Sequence, residues 1–239
     1  MKNIILSDLH SGNPFDVLER ESFDRAVFLG DYDNPLLLEQ ILEIDNNIIL
    51  TGNHDHAFST GLKISSPRML GSYEEYYRAW HTHDKARDFV LESIHIKRGR
   101  KKGLSVVETS ESGKHVFVHA GIKANPVYGL YIPELWDRLI DEEACFSKSA
   151  VSYIFRLMQQ RRYDVVFRGH DHFSGVFSLK KYKPASQFSI EDEREGVLKG
   201  KRYIVNIGEF RRGEYVLFDD ETGEFEFKNC GRQDLMYLK

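Results

Sequence analysis

Histidine and aspartate residues follow short apolar runs at several places in this chain of 239 residues. Asp8 and His10 come directly after the run at 3–6, and His170 and His172 repeat their spacing near the middle of the second half. On extended backbone, side chains two positions apart point the same way, so each pair would face one ligand. Carboxylate and imidazole groups without thiolates suit Mn²⁺, iron, Co²⁺ or Zn²⁺. The two pairs therefore suggest metal binding.

Three further apolar runs end at residues of the same kinds. They are followed by Gly30-Asp31, by Gly52-Asn53-His54-Asp55 and by His119-Ala120-Gly121. Each motif alone is a weak signal, but five of them at the ends of five apolar runs indicate one shared site. Asp, Asn and His side chains gathered in this way could hold a pair of divalent cations.

The apolar runs are the elements that must position these side chains. They lie near residues 3–7, 25–29, 47–51, 115–119 and 163–168, and they are rich in Ile, Val and Phe, as strands buried on both faces are. The carboxyl ends of such strands meet in one crevice, where ligands of α/β proteins bind. Asn-Pro dipeptides predict helices over 14–21 and 34–44, so the first fifty residues read βαβαβ.

The remainder of the chain adds helices and then short strands. We predict a mainly helical insertion around 56–95, whose aromatic stripe packs in the core, further helices over 133–141 and 147–160, a solvated loop over 180–201, and strands over 174–180, 202–207, 214–219 and 224–228. No linker or repeat divides the sequence. We therefore expect one α/β domain over residues 1–239.

Composition narrows the classes of partner. The net charge is −4 with a pI near 6.2, so nucleic acid is a possible but not a favoured partner. Cys145 and Cys230 stand far apart, which argues against a zinc–thiolate site. No signal-peptide core or membrane span is evident, so we expect a cytoplasmic protein that does not contact membranes. The basic segment 97–102 is read as solvated charge, with a polyanionic partner as the alternative.

The five motifs, in their order along residues 8 to 172, resemble those of the calcineurin-like metallophosphoesterase superfamily. The resemblance implies a four-layer α/β/β/α sandwich with two divalent metal ions. It implies Asp8, His10 and His172 as ligands of one ion, Asn53, His119 and His170 as ligands of the other, and Asp31 as the bridge between them. His54 would be the histidine that binds no metal and lies near the leaving oxygen.

His54 is therefore the predicted general acid, because a histidine pKa lies near working pH. Asp33 has two open interpretations. In the phosphoprotein phosphatase branch an Asp in this motif orients the catalytic histidine, but here it comes one residue early and the usual Arg is missing. Asp33 either orients His54 or caps the helix that follows.

Other segments resemble particular branches of the superfamily. The segment 117–122 is similar to symmetrical diadenosine tetraphosphate hydrolases, and the segment 164–170 to protein phosphatases, in which the corresponding Arg contacts phosphate. That likeness makes Arg168 a predicted substrate ligand, with pairing to an acid as the alternative. His56 is a further candidate for lining the cleft. Like the basic segment 97–102, Arg211 and Arg212 could contact a phosphorylated partner, but the signal is weaker.

These residues together predict a metal-dependent phosphoesterase that acts by metal-bridged hydroxide attack. The expected substrates are a phosphorylated small molecule, a dinucleoside polyphosphate or a phosphoprotein. A nuclease or cyclic-nucleotide phosphodiesterase is the second hypothesis, and a non-catalytic scaffold is the third.

Overall fold

A computed structural model describes residues 1–63, 72–94, 107–110, 112–124, 131–134 and 147–231. Its strands are β1 Lys2–Leu6, β2 Arg25–Phe28, β3 Asn47–Ile49, β4 Val107–Thr109, β5 His115–Val118, β6 Gly121–Ala124, β7 Tyr131–Glu134, β8 Val165–Arg168, β9 Ser174–Lys180, β10 Ser189–Glu191, β11 Glu195–Val197, β12 Lys201–Ile207, β13 Glu214–Asp219 and β14 Glu224–Asn229. Its helices are α1 Phe15–Arg20, α2 Pro35–Ile41, α3 Asn53–Thr60, α4 Tyr73–Thr82, α5 Asp84–Ile94 and α6 Lys148–Arg161, with a 3-10 turn at Phe210–Arg212.

Two mixed sheets form the centre of the fold. The first has the strand order β11-β14-β13-β1-β2-β3, and the second has the order β10-β9-β12-β8-β5-β4. The pairs β1–β2 and β2–β3 are parallel in the first sheet, and β5–β8 and β8–β12 are parallel in the second. The parallel βαβαβ start that the sequence predicts is confirmed. A separate hairpin pairs β6 with β7.

Alternating side chains divide the apolar core into layers. Ile4 and Leu6 of β1 pack with residues of α2, α3 and α4, whereas Ile5 between them packs against the second sheet. On the far face of the second sheet, Val166 packs with residues of α6. The period of two along each strand thus places helices outside both sheets. The four-layer α/β/β/α sandwich is confirmed.

The helical insertion also lies where the sequence predicts it. Helices α3, α4 and α5 follow β3 in sequence, and the predicted aromatic packing is seen in the full burial of Trp80 and the near-full burial of Tyr76. Residues 64–71 and 95 of the predicted insertion lie outside the described residues. That residues 1–239 form one domain stays a prediction.

Two local predictions are wrong. The predicted helix over 133–141 begins instead as the end of β7, where Pro133 pairs with Ile122; residues 135–141 lie outside the described part of the chain. Proline biases its preceding residue to extended backbone, which suits a strand. The predicted loop over 180–201 contains β10 and β11, whose polar residues reflect their position at sheet edges.

Candidate metal centre

The predicted ligands converge at one end of the sandwich. Asp8, Asp31 and Asn53 follow strands of the first sheet, whereas His119 and His170 follow β5 and β8 of the second. Because β1, β2 and β3 run parallel, their carboxyl ends share an edge, and the same holds for β5 and β8. The two sheets together therefore build a cluster that neither sheet contains alone.

Two groups of metal-binding side chains share one carboxylate. The first contains Asp8, His10, Asp31 and His172, and its ligand atoms lie within 4.8 Å of one another. The second contains Asp31, His119 and His170 with the same spacing. Asp31 is therefore the residue common to both groups, which is the position that the family resemblance implies for a bridging ligand.

Asn53 joins the second group through its side-chain oxygen. Its Oδ1 atom lies 2.9 Å from Nε2 of His119. On the opposite side of that imidazole, Nδ1 donates to the carbonyl of Leu29 at 2.8 Å. His10 is held in the same manner, because its Nδ1 lies 3.0 Å from Asp33 Oδ2. Both rings thus present Nε2 to the cluster, and such outer hydrogen bonds are typical of metal-binding histidines.

The donor set fits divalent cations on structural grounds. Nε2 of His10 and Nε2 of His172 lie 3.4 Å apart, and Asp8 Oδ1 lies 3.0 Å from the latter. Among the described residues, the buried Oδ2 of Asp31 has no hydrogen-bond partner. Buried oxygen and nitrogen atoms that converge without donors between them are costly, and a cation would remove that cost.

The backbone of these loops is unusual. Asp8, His10, Asp31, His170 and His172 have φ values of 51°, 51°, 60°, 69° and 56°. The extended backbone expected for the Asp8–His10 and His170–His172 pairs is therefore wrong. Left-handed residues are strained unless their surroundings hold them, and such strain concentrates at functional sites.

Gly52 allows the close approach of the shared carboxylate. Its φ is −102°, so no special backbone conformation requires glycine there. A Cβ atom at this position would lie 2.0 Å from Asp31 Oδ1 and 2.6 Å from Asp31 N. Gly52 is therefore needed for space, and the loop after β3 packs directly on the loop after β2.

We expect Gly52→Ala to lower metal affinity about 10- to 100-fold, because the added methyl group must displace Asp31. Calorimetric titration of metal-free protein with Mn²⁺ measures this effect. Gly61→Ala is the matched control, since it strains the other end of α3 without touching the cluster. Equal losses of affinity in both variants would show that helix stability, not the Asp31 contact, is responsible.

Asp55 is a positioning residue that the sequence argument did not assign. Its carboxylate accepts the backbone N–H groups of Asp31 at 2.9 Å, Tyr32 at 2.8 Å and Gly52 at 2.8 Å. Burial and the Asp31 carboxylate raise the pKa of Asp55 to about 7, while the N–H groups from Gly52 and Tyr32 oppose that shift. An acidic residue three positions after Gly52, at the start of a helix, was the available signal.

Asp33 contacts two buried histidines of the cluster, His54 and His10. Its Oδ1 lies 2.7 Å from His54 Nδ1, and its Oδ2 lies 3.0 Å from His10 Nδ1. Helix α2 is capped instead by Asn34, whose Oδ1 accepts Leu36 N–H at 3.0 Å. Of the two interpretations left open by the sequence, the structure therefore shows Asp33 in contact with His54 and not as the cap of α2.

The carboxylates of Asp31 and Asp33 control the charge of His54. Burial alone would lower its pKa, but Asp31 and Asp33 outweigh burial and raise the pKa to about 10. Burial likewise opposes ionisation of Asp33, yet His54 and His10 hold the pKa of that carboxyl well below its usual range. In the metal-free protein His54 and Asp33 thus form a buried ion pair.

We expect the His54 ring of metal-free protein to titrate near pH 10 rather than near 6.5, and to titrate lower in Asp33→Asn. The reason is that the neighbouring carboxylates favour the imidazolium form. Nuclear magnetic resonance of ¹⁵N-histidine-labelled protein, assigned with His54→Gln, measures the midpoint. A midpoint near 6.5 in the unsubstituted protein would contradict the expectation.

The two predicted substrate ligands lie in different settings. Arg168 is completely buried, and its guanidinium pairs with Asp171 at 3.1 Å, which is the alternative that the sequence left open. His56 is half-buried on α3, two residues after His54. Contact between Arg168 and a substrate would require its buried guanidinium to become accessible. Substrate binding by either residue stays a prediction.

Several other sequence features fall outside this site. The basic segment 97–102 and Cys145 lie outside the described residues. Cys230 is partly exposed and contacts the carbonyl of Gly213, and Arg212 pairs with Glu209 at 3.0 Å. Among the helices described, none is long and apolar enough to cross a membrane.

Two facing mixed sheets with a buried Asp/His cluster at their strand ends define an α/β protein able to bind metal. A family model described as the calcineurin-like phosphoesterase superfamily domain matches residues 1–213. The chain therefore belongs to the calcineurin-like phosphoesterase superfamily, a family of divalent-metal-dependent enzymes. The resemblance predicted from the five motifs is confirmed at this level.

One solved structure has the same fold. It is a metallophosphoesterase from Sphaerobacter thermophilus, which is 17% identical with a TM-score of 0.63, over 98% of this chain and 90% of that one. A protein from Streptococcus pneumoniae described as a predicted phosphoesterase is less similar, with 14% identity and a TM-score of 0.43 over 98% of this chain and 92% of that one. Among curated protein sequences, none matches the chain.

Proposed function

We propose that this protein hydrolyses phosphate monoesters or pyrophosphate bonds with two divalent metal ions, like phosphoprotein phosphatases or dinucleoside polyphosphatases. The observation that carries the proposal is the sharing of Asp31 between two ligand groups beside the Asp33–His54 pair. Asp8, His10 and His172 would hold one ion, Asn53, His119 and His170 the other, and Asp31 both. When bound, the ions would withdraw charge from the phosphoryl oxygens and acidify water at neutral pH.

His54 acts on the leaving group. Its Nδ1–H donates to Asp33, so Nε2 is the nitrogen left to protonate the departing oxygen. The backbone N–H of His54 also donates to Asp31 Oδ1 at 3.0 Å, which ties the acid to the shared ligand. Since Asp33 also contacts His10, one carboxylate fixes a metal ligand and the acid together.

The surrounding chain buries this arrangement. Asp8, Asp31, Asp33 and the ring of His119 are each at most 1% exposed. Electrostatic interactions of such buried groups with cations and phosphate are stronger than in bulk water. Asp55 contributes by holding the backbone of Asp31 and Tyr32.

The test is a substrate panel with metal-stripped and Mn²⁺-loaded protein. Phosphopeptides, dinucleoside polyphosphates, aryl monoesters and bis-esters should be compared at equal concentration. We expect metal-dependent hydrolysis of monoesters or pyrophosphate bonds. Activity confined to bis-esters would favour a nuclease or phosphodiesterase, and turnover by stripped protein would contradict the metal mechanism. Metal binding without turnover of any substrate would favour a scaffold.

A further inference from the structure

Trp80 of the helical insertion contacts the backbone of Asp33. Its side chain is completely buried, and its indole Nε1–H donates to the Asp33 carbonyl at 3.0 Å. The two residues are 47 positions apart in sequence, so α4 must be docked on the first sheet for this bond to exist. A buried carbonyl that loses such a donor pays a large desolvation cost.

Asp33 itself is held in a demanding conformation. Its φ is 53°, and the next residue, Asn34, donates its N–H to Tyr32 O within the same tight turn. From this turn the two carboxylate oxygens reach two different histidines, His54 and His10. A rotation of the Asp33 peptide would move both oxygens, so the carbonyl contact and the carboxylate contacts are mechanically linked.

The helix that carries Trp80 is also anchored by contacts other than the Asp33 bond. His83, at its carboxyl end, lies with Nδ1 3.1 Å from Glu39 Oε2 on α2. Phe58 of α3 stacks on Tyr76 of α4 with 5.2 Å between ring centroids, and its edge-to-face contact with His54 spans 5.8 Å. The insertion thus holds α2, α3 and the Asp33 turn in one packed unit.

We propose that Trp80 is a positioning residue for the Asp33–His54 pair, and that the insertion takes part in catalysis through this bond. The proposal rests on the proposed function, because it assumes His54 protonates the leaving oxygen. Without the indole N–H, Asp33 would relax from its left-handed conformation, and its Oδ1 would hold His54 Nδ1 less firmly.

The test compares Trp80→Phe with the unsubstituted protein on two esters, one with a poor alkyl leaving group and one with a good nitrophenyl leaving group. We expect kcat for the alkyl ester to fall about tenfold, as for loss of one buried hydrogen bond, with kcat for the nitrophenyl ester and both KM values within twofold. A merely structural defect would lower both kcat values equally. Equal loss on both esters, or loss on neither, would overturn the proposal.

Two further measurements keep the test decisive. Tyr73→Phe is the control. Tyr73 lies on α4 like Trp80, and the substitution removes its 3.4 Å hydrogen bond to the carbonyl of Ala57 on α3, so kcat for both esters should be unchanged. If Trp80→Phe does not fold, benzothienylalanine at position 80 deletes the N–H while keeping the shape. The hydrogen-bonded Nδ1–H resonance of His54 should weaken in either variant. This resonance separates the positioning role of Trp80 from the acid role of His54. It must change if Trp80 positions His54, even if kinetics of His54→Gln show that His54 is not the acid.

Discussion

Asp31→Asn is expected to reduce kcat/KM by about 10²- to 10⁴-fold, as when a partner is removed from a buried charged cluster. Among the described residues, Asp31 belongs both to the group with Asp8, His10 and His172 and to the group with His119 and His170, so its charge would act on both proposed ions. The amide keeps an oxygen that can still accept the His54 N–H. Metal analysis after dialysis should therefore show loss from both sites in a protein that stays folded.

The metal-free form of the same variant should behave differently. The Asp31 carboxylate raises the pKa of Asp55 because the two negative charges repel each other. Removing the Asp31 charge therefore removes this repulsion from the metal-free protein. We expect metal-free Asp31→Asn to unfold at least as high in temperature as metal-free unsubstituted protein, and to gain less stability from added Mn²⁺. Asp16→Asn, on the exposed face of α1, is the matched control. Retention of two ions with unchanged affinity would refute the shared-ligand role.

His54→Gln should lower kcat by about 10²- to 10⁴-fold for an alkyl phosphate, because the departing alkoxide then lacks its acid. A nitrophenyl ester needs little protonation, so its kcat should fall by less than about tenfold. Asp33→Asn should show the same selectivity with a smaller loss, since it leaves the imidazole in place but removes its partner. Steady-state kinetics on both esters measures the ratio.

The control for this series is His81→Gln, because His81 is an exposed histidine on α4 whose ring contacts Tyr77 of the same helix. It should leave both esters unaffected. An equal loss on alkyl and nitrophenyl esters in His54→Gln would mean that His54 supports metal binding or the fold instead of protonating the leaving group. Metal content measured on the same samples separates these two explanations.

The local pattern of the sequence was sufficient for most of the fold. Runs such as 3–6 and 25–29 are apolar on both faces because each strand is covered on both sides, and that pattern needs no long-range information. Parallel strand direction accounts for the convergence of the motifs within each sheet, and the packing of the two sheets brings the two sets together. Pro133 and the edge strands β10 and β11 were missed, because exposed or proline-containing strands lack the apolar signal.

The finer structure of the site depends on contacts between distant residues. The left-handed backbone of Asp8 and His10 is imposed by surroundings that no dipeptide preference encodes. The three N–H groups on Asp55 come from two loops, and the partner of the Asp33 carbonyl lies on α4. Arg168 illustrates the same limit, because its burial beside Asp171 could not be read from the motif that contains it.

The division of the ligands between two sheets has a consequence for biosynthesis. Asp8, Asp31 and Asn53 emerge from the ribosome early, whereas His170 and His172 emerge only after about two thirds of the chain. Neither half can offer a complete cluster to a cation before the sheets have docked. Metal binding by this cluster would therefore follow the synthesis of residue 172, and a nascent chain that stalls before that residue would compete poorly for scarce ions.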